Sequence, residues 1–166
     1  MGIRNIIGIL IILFVNSTGY TQNADLPEIN QEIVSYVKTV IGEKVGRGEC
    51  WDLADAALTT NNAKFDKSSQ KTLYIFGKEY NPKKDIVLPG DIIQFENVTV
   101  KYENGNTIFT ESYGHHTAIV YNVLENNHIE LAHQNTGFSG KKVGVSTFRF
   151  DDVQKGKMKF YHPIKK

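Results

Sequence analysis

Apolar residues recur at helical spacing only in the first third of the chain beyond its N-terminal run. Between Pro27 and Lys44, Ile29, Ile33, Val37, Val40 and Ile41 fall on one stripe, which predicts an amphipathic helix. Pro27 suits its first turn, and Gly46 and Gly48 close it. A second helix is expected from about Glu49 to Thr60, with Leu53, Ala54, Ala57 and Leu58 inward and Asn61-Asn62 as its stop. The pattern then changes. Short runs of β-branched and aromatic residues follow: Leu73–Phe76, Ile92–Phe95, Val98–Tyr102, Thr107–Thr110, His116–Val123, Ile129–Gln134, Val143–Phe150 and Met158–Tyr161. Asn104-Gly105-Asn106 reads as a hairpin turn. Helices first and strands after predict an α+β domain, its N-terminal helices packed on one face of an antiparallel sheet.

Ahead of this pattern, Ile6 to Val15 form an apolar run behind Arg4, and Ser17-Thr18-Gly19 supply small residues. This reads as a signal peptide over 1–19, cleaved after Gly19 or alternatively before Gln22, with a single domain over 27–166. The run is shorter than the roughly 20 residues that span a bilayer. No cysteine follows it closely, so neither a lipid anchor nor a stable membrane anchor is expected. The expected location is secreted or periplasmic.

Removing Arg4 balances the 19 basic and 18 acidic side chains of the whole chain. Such a balance, with lysines scattered, argues against nucleic acid as a partner. The single cysteine excludes any internal disulfide. A monomer stabilised by packing is expected.

That cysteine, Cys50, stands in Gly46-Arg47-Gly48-Glu49-Cys50-Trp51-Asp52-Leu53, where the second helix begins. A helix N-terminus favours thiolate over thiol, and a nearby histidine can complete a nucleophile. The plain alternative is a small buried side chain. Period-2 alternation puts His116 on one face with Ala118 and Val120, and His133 on one face with Leu131 and Asn135. Antiparallel pairing through a connection at Asn122–Asn127 brings the polar ends together, giving a thiol, a base and an orienting group. His115 points the opposite way, and His128 and His162 read as surface. Cys50, His116 and His133 could instead bind zinc, although no HExxH or CxxC spacing supports a metal.

The chain resembles the papain-like superfamily of CHAP amidases and endopeptidases and NlpC/P60 peptidases. Three blocks carry the likeness: Gly48-Glu49-Cys50-Trp51, Leu88-Pro89-Gly90-Asp91-Ile92-Ile93-Gln94-Phe95, and His116-Thr117-Ala118-Ile119-Val120 leading to His133-Gln134-Asn135. The resemblance implies a papain-like (NlpC/P60-type) fold and a metal-independent cysteine hydrolase that needs no cofactor. Its implied substrate is a peptidoglycan peptide or another peptide, cut at an amide bond. Cys50 matches the nucleophile, His116 the base, and Asn135 the polar residue near the base. His133 stands where CHAP domains carry glutamate and where NlpC/P60 enzymes often carry histidine. Glu49 and Trp51 fall at positions expected to meet substrate, Glu49 through a free amine or by favouring the helix dipole. The wording around Cys50 and Pro89–Phe95 is also similar to papain-fold modules of fungal and plant proteins linked to cytoskeleton or cell wall. Catalysis is not assured in those, so an inactive module binding wall peptides or a protein partner is the alternative.

Overall fold

The computed structural model describes residues 26–166 apart from Asn106 and Asn126. The leader expected over 1–19 lies outside the described residues. Helix α1 spans Glu28–Val40 and buries Ile29, Ile33 and Val37, the stripe read from the sequence. It stops before Lys44 because the next residues are claimed by another segment. Ile41 bridges Val143, Gly42 N–H donates to Val143 O at 2.8 Å, and Val143 N–H donates to Glu43 O at 2.8 Å. Helix α2 spans Cys50–Thr60 and opens on a reciprocal capping box between Glu49 and Asp52. Asp52 also accepts the Arg47 N–H at 2.7 Å, which fixes the turn leading into Cys50.

Six antiparallel strands follow: β1 Lys78–Tyr80, β2 Ile92–Asn104, β3 Thr107–Val123, β4 His128–His133, β5 Gly144–Arg149 and β6 Val153–His162. Their order across the sheet is β1-β6-β2-β3-β4-β5. The expected short runs at 92–95 and 98–102 are one strand, as are those at 107–110 and 116–123. Leu73–Phe76, expected as a strand, lies in turn and coil. There Phe76 is buried against Tyr161 at 5.7 Å and the Leu73 carbonyl receives the Trp51 indole N–H at 2.8 Å.

The sheet is buried on both faces. Ile92, Ile119, Ala132 and Tyr161 join the helical residues Ile33, Val37, Leu53 and Leu58 in one core cluster. Ile93, Phe95, Ala118, Val120, Leu131 and Phe160 belong to a second cluster on the opposite face. His116 and His133 share the strand parity of this second face.

Alternation breaks once in β2. Ile93 and Phe95, then Val98 and Val100, all belong to the second cluster, so one residue between them adds no change of side. Asn97 sits there with φ 52. The register of β2 against β6 shifts between Glu96 and Thr99, as a β-bulge requires. Gly156 of β6 admits the bulge: a Cβ there would lie 2.4 Å from Val98 Cα. Beyond this point β3 is switched too, and Tyr113, paired with Val98, packs on Phe95 at 5.3 Å and on His116 at 5.2 Å.

The Pro-x-Gly-Asp block is structural. Asp91 is fully buried and accepts from Tyr80 Oη at 2.7 Å, Leu88 N–H at 2.9 Å, His162 Nδ1 at 2.9 Å and Asn30 Nδ2 at 3.0 Å. One carboxylate therefore ties α1, β1 and β6 to the start of β2. Position 90 requires glycine, since its φ is 87 and a Cβ would meet the Asn30 carbonyl at 2.6 Å. His162, expected at the surface, is half-buried and stacks on Tyr80 at 3.8 Å.

Candidate active site

Cys50 is the first residue of α2 and is partly buried. The backbone N–H groups of Thr117, Trp51 and Cys50 itself act on the thiol to favour its thiolate, which sets Cys50 beside β3 at the residue following His116. Cys50 and His116 line one cleft, of about 650 Å³. The turn before Cys50 is bolted to the end of β4 by Gln134. The fully buried Gln134 Nε2 donates to Glu49 O at 2.7 Å and to Val45 O at 3.0 Å, and its Oε1 accepts the Val45 N–H at 3.2 Å.

His116 Nε2 lies 3.0 Å from His133 Nδ1, and His133 Nε2 lies 2.9 Å from Ser146 Oγ. This chain has two proton arrangements. If His133 Nε2–H donates to Ser146, its Nδ1 must accept from His116 Nε2–H, and His116 Nδ1 then carries a lone pair. In the reverse arrangement His116 Nδ1 is protonated and cannot take a proton. The first arrangement makes His116 a base, so Ser146 bears on the tautomer of His116 through His133.

Burial sets the charges. It pushes the Cys50 thiol up, outweighing the N–H groups of Thr117 and Trp51 that favour thiolate, with Glu49 adding to the rise. Burial, with a smaller effect from His115, lowers His116 to about 4, and burial with His116 lowers His133 to about 3. The resting pair is therefore a neutral thiol and a neutral imidazole, although the helix terminus by itself favours a thiolate. The three converging N–H groups can hold negative charge once it forms on sulfur or on an adjacent carbonyl oxygen.

The remaining expected residues are placed differently from one another. Asn135 follows the end of β4 with φ 61, and its amide donates to Glu49 Oε2 at 2.8 Å, so His133 rather than Asn135 occupies the His116 ring nitrogen. Glu49 is engaged by Asn135, by Lys141 and by its own capping box. Trp51 spends its indole N–H on Leu73 O at 2.8 Å and packs on Phe65 at 6.0 Å, while one edge lines a cavity with Cys50. His115 bonds Glu96 at 2.9 Å and meets Tyr74 edge-on at 4.3 Å. Among the described residues no group of three or more His, Cys, Asp or Glu is arranged to hold a metal ion.

Thr117, Gln134 and Ser146 are not singled out by the sequence. Gln134 could have been found, because it is a polar residue between His133 and Asn135 on the helix-facing side of its strand. Ser146 gives no signal, since a lone serine in a strand is unremarkable.

The family model of the AIM3/BBC1 cysteine proteinase-fold domain matches residues 26–166. Two solved structures are similar, "The crystal structure of Ly7917" and "The crystal structure of Ly7917 with the hydrolyzing product of MDP". The first is 17% identical with a TM-score of 0.47 and covers 80% of this chain and 62% of its own. The second is 19% identical with a TM-score of 0.47 and covers 81% and 62%. The chain thus spans about three fifths of the length of those structures. A comparison with curated proteins gave no match.

Proposed function

As the chain belongs to the AIM3/BBC1 cysteine proteinase-fold domain family, we propose that it is a cysteine hydrolase of amide bonds, acting through Cys50, His116 and His133. The observation that carries this reading is the hydrogen-bonded line from Ser146 through His133 to His116 Nε2, which in one of its two proton arrangements leaves His116 Nδ1 unprotonated, with His116 and Cys50 lining one cleft. His116 Nδ1 takes the thiol proton as Sγ attacks the carbonyl carbon, and the amide C–N bond then breaks as the imidazolium gives its proton to the leaving amine. Water, deprotonated by the same nitrogen, releases the acyl group from sulfur. The N–H groups of Cys50, Trp51 and Thr117 are the candidate oxyanion donors.

Peptidoglycan peptides are the substrates to test first, met outside the cytoplasm after removal of residues 1–19, by a monomer that needs no cofactor. Digestion of purified peptidoglycan by the protein, with Cys50→Ala as control, followed by mass spectrometry, tests the reading. New termini that appear with wild type and vanish with the variant are expected. Identical fragment spectra from both would overturn it.

The second reading is a binding module without turnover. The neutral state that burial imposes on Cys50, His116 and His133 favours it. It predicts peptide binding that Cys50→Ala leaves intact, with no hydrolysis by wild type.

A further inference from the structure

The cleft that holds Cys50 continues along the projecting β2–β3 hairpin, and its wall there has its own chemistry. Tyr102, Phe109, Glu111 and Tyr113 line it together with Cys50 and His116. They meet because Tyr102 is paired with Phe109 and Val100 with Glu111 across the hairpin, and because the bulge at Asn97 turns this stretch to the side of His116. The Tyr102 and Phe109 rings stack at 5.4 Å and 14°. Glu111 Oε1 accepts from Tyr102 Oη at 2.9 Å, and Oε2 accepts from Tyr113 Oη at 2.6 Å.

Two phenols thus fix the carboxylate, and each oxygen keeps a further lone pair. The hydrogen bonds to Glu111 raise both phenol pKa values, with burial the larger cause for Tyr113, so both stay protonated donors. Among the described residues no lysine, arginine or histidine forms an ion pair with Glu111, unlike Glu49, Asp52 and Asp55, which all have cationic partners. An oriented carboxylate beside aromatic faces suits a cation: the ring quadrupoles attract it and the carboxylate accepts its N–H groups.

We propose that this wall is a cation-binding subsite, centred on Glu111 and flanked by Tyr102, Phe109 and Tyr113, that takes a basic side chain or free amine of a peptide lying in the Cys50 cleft. The proposal rests on the reading of Cys50 as an amide-hydrolase nucleophile. It assigns that enzyme a preference for peptides with a positive charge several residues from the bond cut. Its recognition chemistry is nevertheless separable from turnover.

The test is a binding titration followed by NMR on the full chain carrying Cys50→Ala, which removes hydrolysis. The probes are acetyl-Ala-Ala-Lys-Ala-Ala-amide and the same peptide with norleucine for lysine. The lysine peptide should bind at least about fivefold tighter, shifting resonances of Tyr102 and Tyr113, and the difference should shrink at high salt. Glu111→Gln should collapse the difference between the peptides, whereas Glu111→Asp should keep its sign. Equal affinities for the two peptides, no binding of either, or a lysine preference untouched by Glu111→Gln would each overturn the subsite. Fragments lost with Cys50→Ala but indifferent to charge would overturn the subsite alone. A lysine preference without any hydrolysis by wild type would overturn only the nucleophile reading.

Discussion

Replacing Ser146 by alanine should slow the chemistry of Cys50 although the two residues do not touch. His133 is 1% exposed, and its Nε2 has Ser146 Oγ as its partner at 2.9 Å. Without the hydroxyl, a proton on Nε2 loses its acceptor in a buried site. The tautomer with that proton on Nδ1 becomes the better one, and it donates toward His116 Nε2. His116 must then carry its own proton on Nδ1, where it cannot receive the thiol proton. A net hydrogen bond between neutral groups is worth about 0.5–1.5 kcal/mol. That converts to a loss of about 2–13-fold, since 1.36 kcal/mol is tenfold. Ser146 is only half-buried and borders a cavity, so water can replace part of the bond and the lower end is expected. The rate of iodoacetamide alkylation of Cys50 at pH 8 reads the effect without a known substrate, and nitrogen-15 NMR of the His133 ring reads the tautomer directly. A variant alkylated at the wild-type rate, with the His133 proton still on Nε2, would refute the relay.

Acid should unfold the protein through the two histidines. Their folded pKa values, about 4 and about 3, lie below the ordinary 6.5, so the stability they carry is present above pH 6.5 and is lost as pH falls toward 4 and 3. The loss is on the order of several kcal/mol for the coupled pair, and urea midpoints measured from pH 7 to 4 should fall accordingly; a flat profile would contradict the burial of the pair. Asp91→Ala should destabilise the fold by about 3–5 kcal/mol, because it strands buried donors from Asn30, Tyr80, Leu88 and His162, and thermal melting that moves by only a degree or two would be at odds with that network. Gly156→Ala should cost about 1–3 kcal/mol, since its Cβ would strike the Asn97–Val98 backbone at φ 102, and a melting temperature equal to wild type would show that the bulge can move.

Periodicity was enough to read the two helices and the burial of Ile33, Val37, Leu53 and Leu58, because a helix that packs at all must bury its apolar stripe. The same local logic put His116 on one face with Ala118 and Val120 and set the end of β4 beside His116 in the middle of β3. It also marked Cys50 at a helix start, which the structure caps reciprocally with Glu49 and Asp52. What it could not supply were the relations between segments. Which of His133 and Asn135 meets the His116 ring depended on a backbone turn to φ 61 at Asn135, which hands that amide to Glu49. The fate of Glu49 depended on Lys141, 92 residues away. The charge state of the site is a property of burial: a helix terminus by itself favours thiolate, but desolvation by the surrounding fold opposes it more strongly. Strand alternation would also have turned Tyr113 and Glu111 away from His116. Only the paired sheet, with Asn97 in a left-handed conformation and Gly156 making room for it, reverses that parity and places the hairpin side chains in the cleft of Cys50.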